Sequence, residues 1–411
     1  MTGMMRRRVM LTGLGVVNAS GQATEPFWQN VSAGIQRLGP ISGFDARDFP
    51  VQVAGEVADF DPSRAVSRRF IVKTDRFTHF ALTATADAIE DAKLELDAED
   101  RTRVGVWFGN NTGGWDLCER GFVEYYGAGA DTVNPWQATG WFLAAPQGFT
   151  TIQHGIRGPS KSFSGDRASG AAAFYYGARA VQWDGNDVVL TGGCEAPVSP
   201  LSIACFHSSG DLSEVVDPAM AYRPFDHAAA GLVVGEGGVA LVLEEAGHAR
   251  DRGSRAYLEV LGGAHGSAAD GDPAGYLRVL RRALDDAGCA PEDIDLVFAE
   301  GCADKAGDRF EASALAAAFS GRPTPLPVTV PKCQFGHLYG AAFGTDVACA
   351  ALAVRHGIAP PTPGFSDGDL PSGLEVVAAA RPMRIDRVLV TSHSRYGSCV
   401  ATVVARPPTD Q

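Results

Sequence analysis

Two stretches of this 411-residue chain begin helices in the same way. Ser169-Gly170-Ala171-Ala172-Ala173 opens one and Tyr339-Gly340-Ala341-Ala342-Phe343 opens the other; each apolar run closes on a glycine, Gly185 and Gly357. A helix that starts on such small residues can approach its neighbours backbone to backbone. Helices of that kind suit positions packed against sheets. Ala-rich helices also look alike through composition alone, so the pair needs support from its surroundings.

The surroundings supply it. Strand-like and helical runs alternate, with strands over 9–11, 103–108, 187–190 and 238–244 and helices over 25–33, 74–92 and 170–183. A second set repeats the order, with strands over 256–261, 294–300 and 328–332 and helices over 275–287, 308–319 and 340–355. This alternation predicts a layered α/β architecture. The parallel order predicts internal duplication, with halves 1–250 and 251–411 divided within 245–255 and sharing one core.

Apolar residues make up 45% and charged residues 20%, enough for a large core and against disorder. The net charge of −13 is spread along the chain, which excludes a nucleic-acid role needing a basic face and argues mildly against a strongly acidic partner. Arg6-Arg7-Arg8 is too short to reverse this and reads as solvated charge ahead of the first strand. The eight cysteines form no C-x-x-C pair, so neither a metal nor a disulfide framework is expected, and no organic cofactor is expected either. The run from Val9 to Val17 has a signal-like look, but Gly13 and Gly15 break it into strand and turn. No apolar run is long enough to span a bilayer, and a cytosolic protein is expected.

Several short strings occur in an order similar to that of the β-ketoacyl synthases. They are Thr12-Gly13-Leu14-Gly15-Val16-Val17, Lys73-Thr74-Asp75-Arg76-Phe77, Gly109-Asn110-Asn111-Thr112-Gly113-Gly114, Arg223-Pro224-Phe225-Asp226 and Gly235-Glu236-Gly237-Gly238. Each is weak alone; their order and spacing along the whole chain make the resemblance strong. It implies a thiolase-like fold, in which duplicated βα halves form a five-layer α-β-α-β-α sandwich around buried central helices.

Members that condense acyl units use a cysteine nucleophile and two histidines, so the matching positions decide what chemistry remains. The cysteine position falls in Phe163-Ser164-Gly165-Asp166-Arg167-Ala168-Ser169 and is Arg167. A guanidinium stays protonated and has no lone pair with which to attack a thioester. The first histidine position is Glu300, and a carboxylate there repels an enolate instead of stabilising it. The second histidine is retained as His337, and the lysine of its motif as Lys332. Cys302 and Cys194 are candidates for a substitute thiol, but both read better as buried packing groups. If Arg167 and Glu300 are both buried, a salt bridge filling the site is expected; the alternatives are pairing of Arg167 with Asp166 or a swing to solvent. The family's G-F-G-G gate becomes Ser394-Arg395-Tyr396-Gly397, and the preceding His393 is a replacement base or, more often at a strand end, a structural residue.

The resemblance extends to the subunits of type II polyketide systems that lack the cysteine and pair with a catalytic ketosynthase, the chain length factors. It implies a non-catalytic subunit, a heterodimer with the cysteine-bearing ketosynthase, and an acyl carrier protein docking mainly on that partner. The segment holding Asn111, Thr112, Trp115, Leu117, Phe122, Trp136, Trp141 and Phe142 is then expected at the dimer interface. There it either closes an acyl tunnel or provides ordinary interface packing, in which aromatic residues are common. The reading from another class is a free-standing decarboxylase or transacylase with a remodelled site. A homodimeric scaffold without a catalytic partner is the third.

Overall fold

The structure, a computed structural model, describes residues 6–408 except 270 and 369. Its first half runs through β1 (Val9–Asn18), α1 (Arg76–Asp91), β2 (Val104–Gly109), α2 (Trp115–Ala128), β3 (Lys161–Phe163), α3 (Ser169–Gln182), β4 (Val188–Glu195) and β5 (Gly237–Glu245). The second runs through β6 (Leu258–Ser267), α4 (Pro273–Ala287), β7 (Leu296–Phe298), α5 (Lys305–Ala318), β8 (Leu326–Thr329), α6 (Ala342–His356), β9 (Leu374–Val376), β10 (Arg387–His393) and β11 (Ser398–Ala405).

These strands hydrogen-bond in the order β9-β8-β7-β10-β11-β6-β1-β5-β4-β2-β3. Counted outward from the centre, β1-β5-β4-β2-β3 and β6-β11-β10-β7-β8 have one order and one set of directions: two antiparallel pairings, then two parallel ones. The two five-strand units join where Val9–Leu11 pairs with Leu258–Val260.

Side chains alternate across each strand, and this separates three apolar layers. Val104, Val106, Phe108, Val188 and Leu190 face α1. Val9, Leu11, Val189, Val388 and Val390 face the central pair α3 and α6. Leu389, Ala401 and Val403 face α4 and α5. With helices inside and outside both units, the layering is that of the thiolase-like fold.

The glycine–alanine starts of the central helices meet each other. A Cβ added to Gly170 would stand 2.1 Å from the Gly340 carbonyl oxygen, and one added to Gly340 would stand 2.5 Å from that of Gly109. Small residues are therefore a steric requirement of this joint.

Three local differences from the sequence reading have simple causes. β1 continues to Asn18 instead of turning at its glycines, because Gly13 and Gly15 lie flat against α1; a Cβ on Gly15 would stand 1.9 Å from the Ala84 oxygen. The strands β10 and β11, left out of the alternation above, close the second unit. The Arg6–Arg8 run is more than solvated charge: Arg6 pairs with Asp286, Arg7 with Asp184 and Asp187, and Arg8 with Glu259, each at 2.6 Å. Among the described residues no helix is long and apolar enough to cross a membrane, and no cluster is suited to hold a metal.

Candidate functional site

Arg167 sits on the tight connection from β3 to α3. Asp166 takes a positive φ of 57°, and the Ser169 hydroxyl closes the turn by accepting from the Gly165 N–H at 2.9 Å and donating to the Asp166 carbonyl at 2.6 Å. The turn projects Arg167 inward, where it is 6% exposed. Burial opposes its charge, but Cys302, Glu300, Asp166 and Asp211 more than compensate and raise its pKa above the ordinary value.

The expected salt bridge with Glu300 does not form. No ion pair within 4.0 Å joins the two side chains, and the carboxylate that comes nearest to Arg167 is Asp166, at 3.6 Å from Nε. Glu300 has another partner: it lies 2.7 Å from His337 Nε2. His337 Nδ1 accepts the Tyr339 backbone N–H at 3.1 Å, which places the ring proton on Nε2 and makes that nitrogen the donor to Glu300. Burial lowers the His337 pKa, with Lys332 and Arg167 adding to it against the pull of Glu300, so a neutral donating ring is consistent with its surroundings. Burial by itself would raise the Glu300 pKa, but His337, Lys332 and Arg167 outweigh it and hold the carboxyl well below its usual range.

Lys332 supports the backbone of this arrangement. Its Nζ donates to the Ala299 and Glu300 carbonyls at 2.7 and 3.1 Å and stands 2.6 Å from Asp346 Oδ2. Burial favours the neutral amine, but Asp346 and Glu300 overcome it and raise the pKa. From the other side, Glu311 accepts the Glu300 and Gly301 N–H groups, each at 2.9 Å. Glu311 and Asp346 escaped the sequence reading; acidic residues on the buried faces of α5 and α6 were the available signal.

This arrangement leaves His337 without a free N–H. Oxyanion stabilisation requires an N–H donor aimed at the developing charge, and the Nε2–H of His337 is already spent on a carboxylate. The two cysteines considered as substitute thiols, Cys302 and Cys194, are both buried. Cys302 Sγ lies 3.7 Å from Asp308 Oδ1, and burial with the Asp308 charge pushes its pKa up despite nearby Arg167. Cys194 donates to Asn110 Oδ1 at 3.2 Å and is likewise raised, by burial first. Such thiols are poor sources of thiolate.

The segment expected as an altered gate, Ser394-Arg395-Tyr396-Gly397, is a pinned turn between β10 and β11. Arg395 donates its backbone N–H to Asp166 Oδ2 at 3.1 Å, and its guanidinium pairs with Asp211 Oδ1 at 2.9 Å and bonds the Ser209 carbonyl. Ser394 N–H donates to the Ser398 carbonyl at 2.7 Å, Gly397 holds a φ of 89°, and Tyr396 points into solvent. His393 packs against the stacked rings of Tyr276 and Phe310, with Nε2 3.7 Å from Glu311 Oε2, a packed position that favours its structural reading. A cavity of about 280 Å³ remains between Arg167, His393, Arg395 and Cys302.

The aromatic segment lies away from this cavity. Glu195 holds its start, accepting from the Asn111 N–H and, at 3.0 Å, from the Thr112 hydroxyl. Burial raises Glu195 to about 7 against those bonds. Trp115 begins α2, and Leu117 turns into the core with its N–H on Asp75 Oδ2 at 2.6 Å. Phe122 meets Trp141 edge to face at 5.5 Å, and Lys73 Nζ lies 4.2 Å from the Trp136 ring centre. Trp141 and Phe142 are 57% and 62% exposed, next to the exposed Val123 and Tyr126.

The sequence matches the beta-ketoacyl synthase N-terminal domain over residues 6–249 and the beta-ketoacyl synthase C-terminal domain over 256–366. The chain belongs to the β-ketoacyl synthase family. Within that family it is 39% identical to the tetracenomycin polyketide synthase ketoacyl synthase beta subunit of Streptomyces glaucescens, over 97% of this chain and 98% of that protein. Identity to the alpha subunit of the same synthase is 34%, over 99% of both chains. The ishigamide ketosynthase/chain length factor superposes with a TM-score of 0.91 at 28% identity, covering 98% of this chain and all of that one. The β-ketoacyl synthase fold is thus kept along the chain.

Proposed function

We propose that this chain is a chain length factor: a non-catalytic subunit that pairs with a catalytic ketosynthase and shapes the tunnel in which a polyketide grows. The observation that carries the reading is the Glu300–His337 contact at 2.7 Å, which occupies the one retained catalytic histidine beside an arginine that cannot carry an acyl group. Higher identity to a beta subunit than to the alpha subunit of one synthase supports it. The free-standing decarboxylase or transacylase has no comparable support, because Cys302 and Cys194 are buried and held as thiols.

In this reading the halves 1–250 and 251–411 act as one rigid frame in the cytosol. The exposed aromatic surface around Trp141 and Phe142 faces the partner, the carrier protein docks mainly on that partner, and no cofactor takes part. Co-expression with a cysteine-bearing ketosynthase is expected to give a one-to-one complex that extends malonyl units on a carrier protein, while this chain alone gives no product. Decarboxylation of malonyl-carrier protein by the isolated chain, or failure to form the complex, would overturn the proposal.

A further inference from the structure

Around the 280 Å³ cavity beside Arg167, the described carboxylates have partners, while two buried donors, on Arg167 and His393, have none within hydrogen-bond distance. No N–H of the Arg167 guanidinium makes a hydrogen bond; its Nε is fully buried, and Asp166 Oδ2 at 3.6 Å is too far to accept from it. The neighbouring carboxylates have other duties. Asp166 Oδ2 accepts the Arg395 N–H, Asp211 pairs with the Arg395 guanidinium, Asp304 caps Gly307 N–H at 2.8 Å, and Glu300 holds His337. His393, 4% exposed and lining the same cavity, also has an Nε2 without a hydrogen-bond partner. Buried polar groups are nearly always satisfied, and a guanidinium left without acceptors is among the costliest exceptions.

We propose that this cavity is a binding site for a small carboxylate carrying a short apolar body. The guanidinium fork matches a carboxylate in a bidentate, charge-assisted geometry. The lining also includes Phe310, Ala268, Cys302 and Cys399, which solvate hydrocarbon better than they solvate a second polar group. Phosphate would engage the fork but leave these side chains unused. A volume of about 280 Å³ has room for a body of a few carbons. The site stands whether or not the chain sets polyketide length, and it gives the replaced catalytic position a binding role in place of a reaction.

Sodium butyrate titrated calorimetrically into the full-length chain, in complex with its ketosynthase if the two copurify, tests the assignment. Saturable binding near one-to-one is expected, with butyramide and inorganic phosphate each weaker by about tenfold or more. Arg167→Gln should lose about tenfold or more of the butyrate affinity. Ala306→Trp adds bulk at an exposed position lining the mouth, touches none of the buried charges, and should weaken butyrate to a similar degree. It decides the matter if Arg167→Gln fails to fold. Absence of saturation by butyrate, equal binding of butyramide or phosphate, or unchanged affinity in the folded variants would overturn the proposal.

Discussion

Glu300 is held at three points: His337 donates to its side chain, Lys332 binds its carbonyl and Glu311 accepts its N–H. Arg167 lies near it but outside ion-pair distance, so the two substitutions in the synthase site are neighbours without being bonded partners. Stability measurements separate these cases. In a double-mutant cycle by urea denaturation, Glu300→Ala with His337→Ala should show a coupling of about 1–3 kcal/mol, in the range for buried hydrogen bonds to a charged group. The cycle of Arg167→Ala with Glu300→Ala should show a clearly smaller one. A larger Arg167 coupling would mean that the guanidinium reaches Glu300 in solution after all.

Two predictions belong to the elements. Gly170 sets the approach of α3 to the backbone before α6, where a Cβ would stand 2.1 Å from the Gly340 oxygen. Gly170→Ala should therefore destabilise the fold by about 1–3 kcal/mol through overpacking, even though alanine is the better helix former. Thermal or urea unfolding equal to wild type would show that the joint can relax. The second concerns the short helix Ala246–Asp251, which is tied back to the first unit by His248. Its Nδ1 lies 3.0 Å from Glu244 and its Nε2 2.8 Å from Glu99. The hydrogen bond to Glu244 leads in raising its pKa to about 9, with Glu99 adding to it against burial. Because the folded value lies above the unfolded one near 6.5, the stabilisation is complete below about pH 6.5 and fades as pH rises through about 9. The stability gap between wild type and His248→Gln should be widest in mild acid and close in alkali; a pH-independent gap would count against the charged pairings.

At the scale of the molecule, the duplicated sheet order holds two regions apart. The remnant cavity lies by the start of α3, while the exposed aromatic surface is carried by α2 and the segment after it. Trp141→Glu should thus abolish copurification with a ketosynthase while leaving the isolated chain folded, since Trp141 is 57% exposed. Trp115→Ala distinguishes tunnel closure from ordinary interface packing: an intact complex making longer products supports closure, and an unchanged product distribution supports packing alone.

The sequence by itself determined the layered α/β class, the central Gly–Ala helices and the order of the two halves. Those properties follow from residue type, period and spacing, which act over one or two turns of chain. Partner choice inside the site was decided only by tertiary structure. Arg167 and Glu300 are 133 positions apart, and their distance depends on how two strand ends and two helices stack, so residue identity predicted a bond that geometry refused. The same holds for Gly13 and Gly15, which look like turn residues locally but serve a flat strand beneath a helix. Likewise Glu311 and Asp346 come into view only when α5 and α6 bring buried carboxylates to the backbone and lysine they hold.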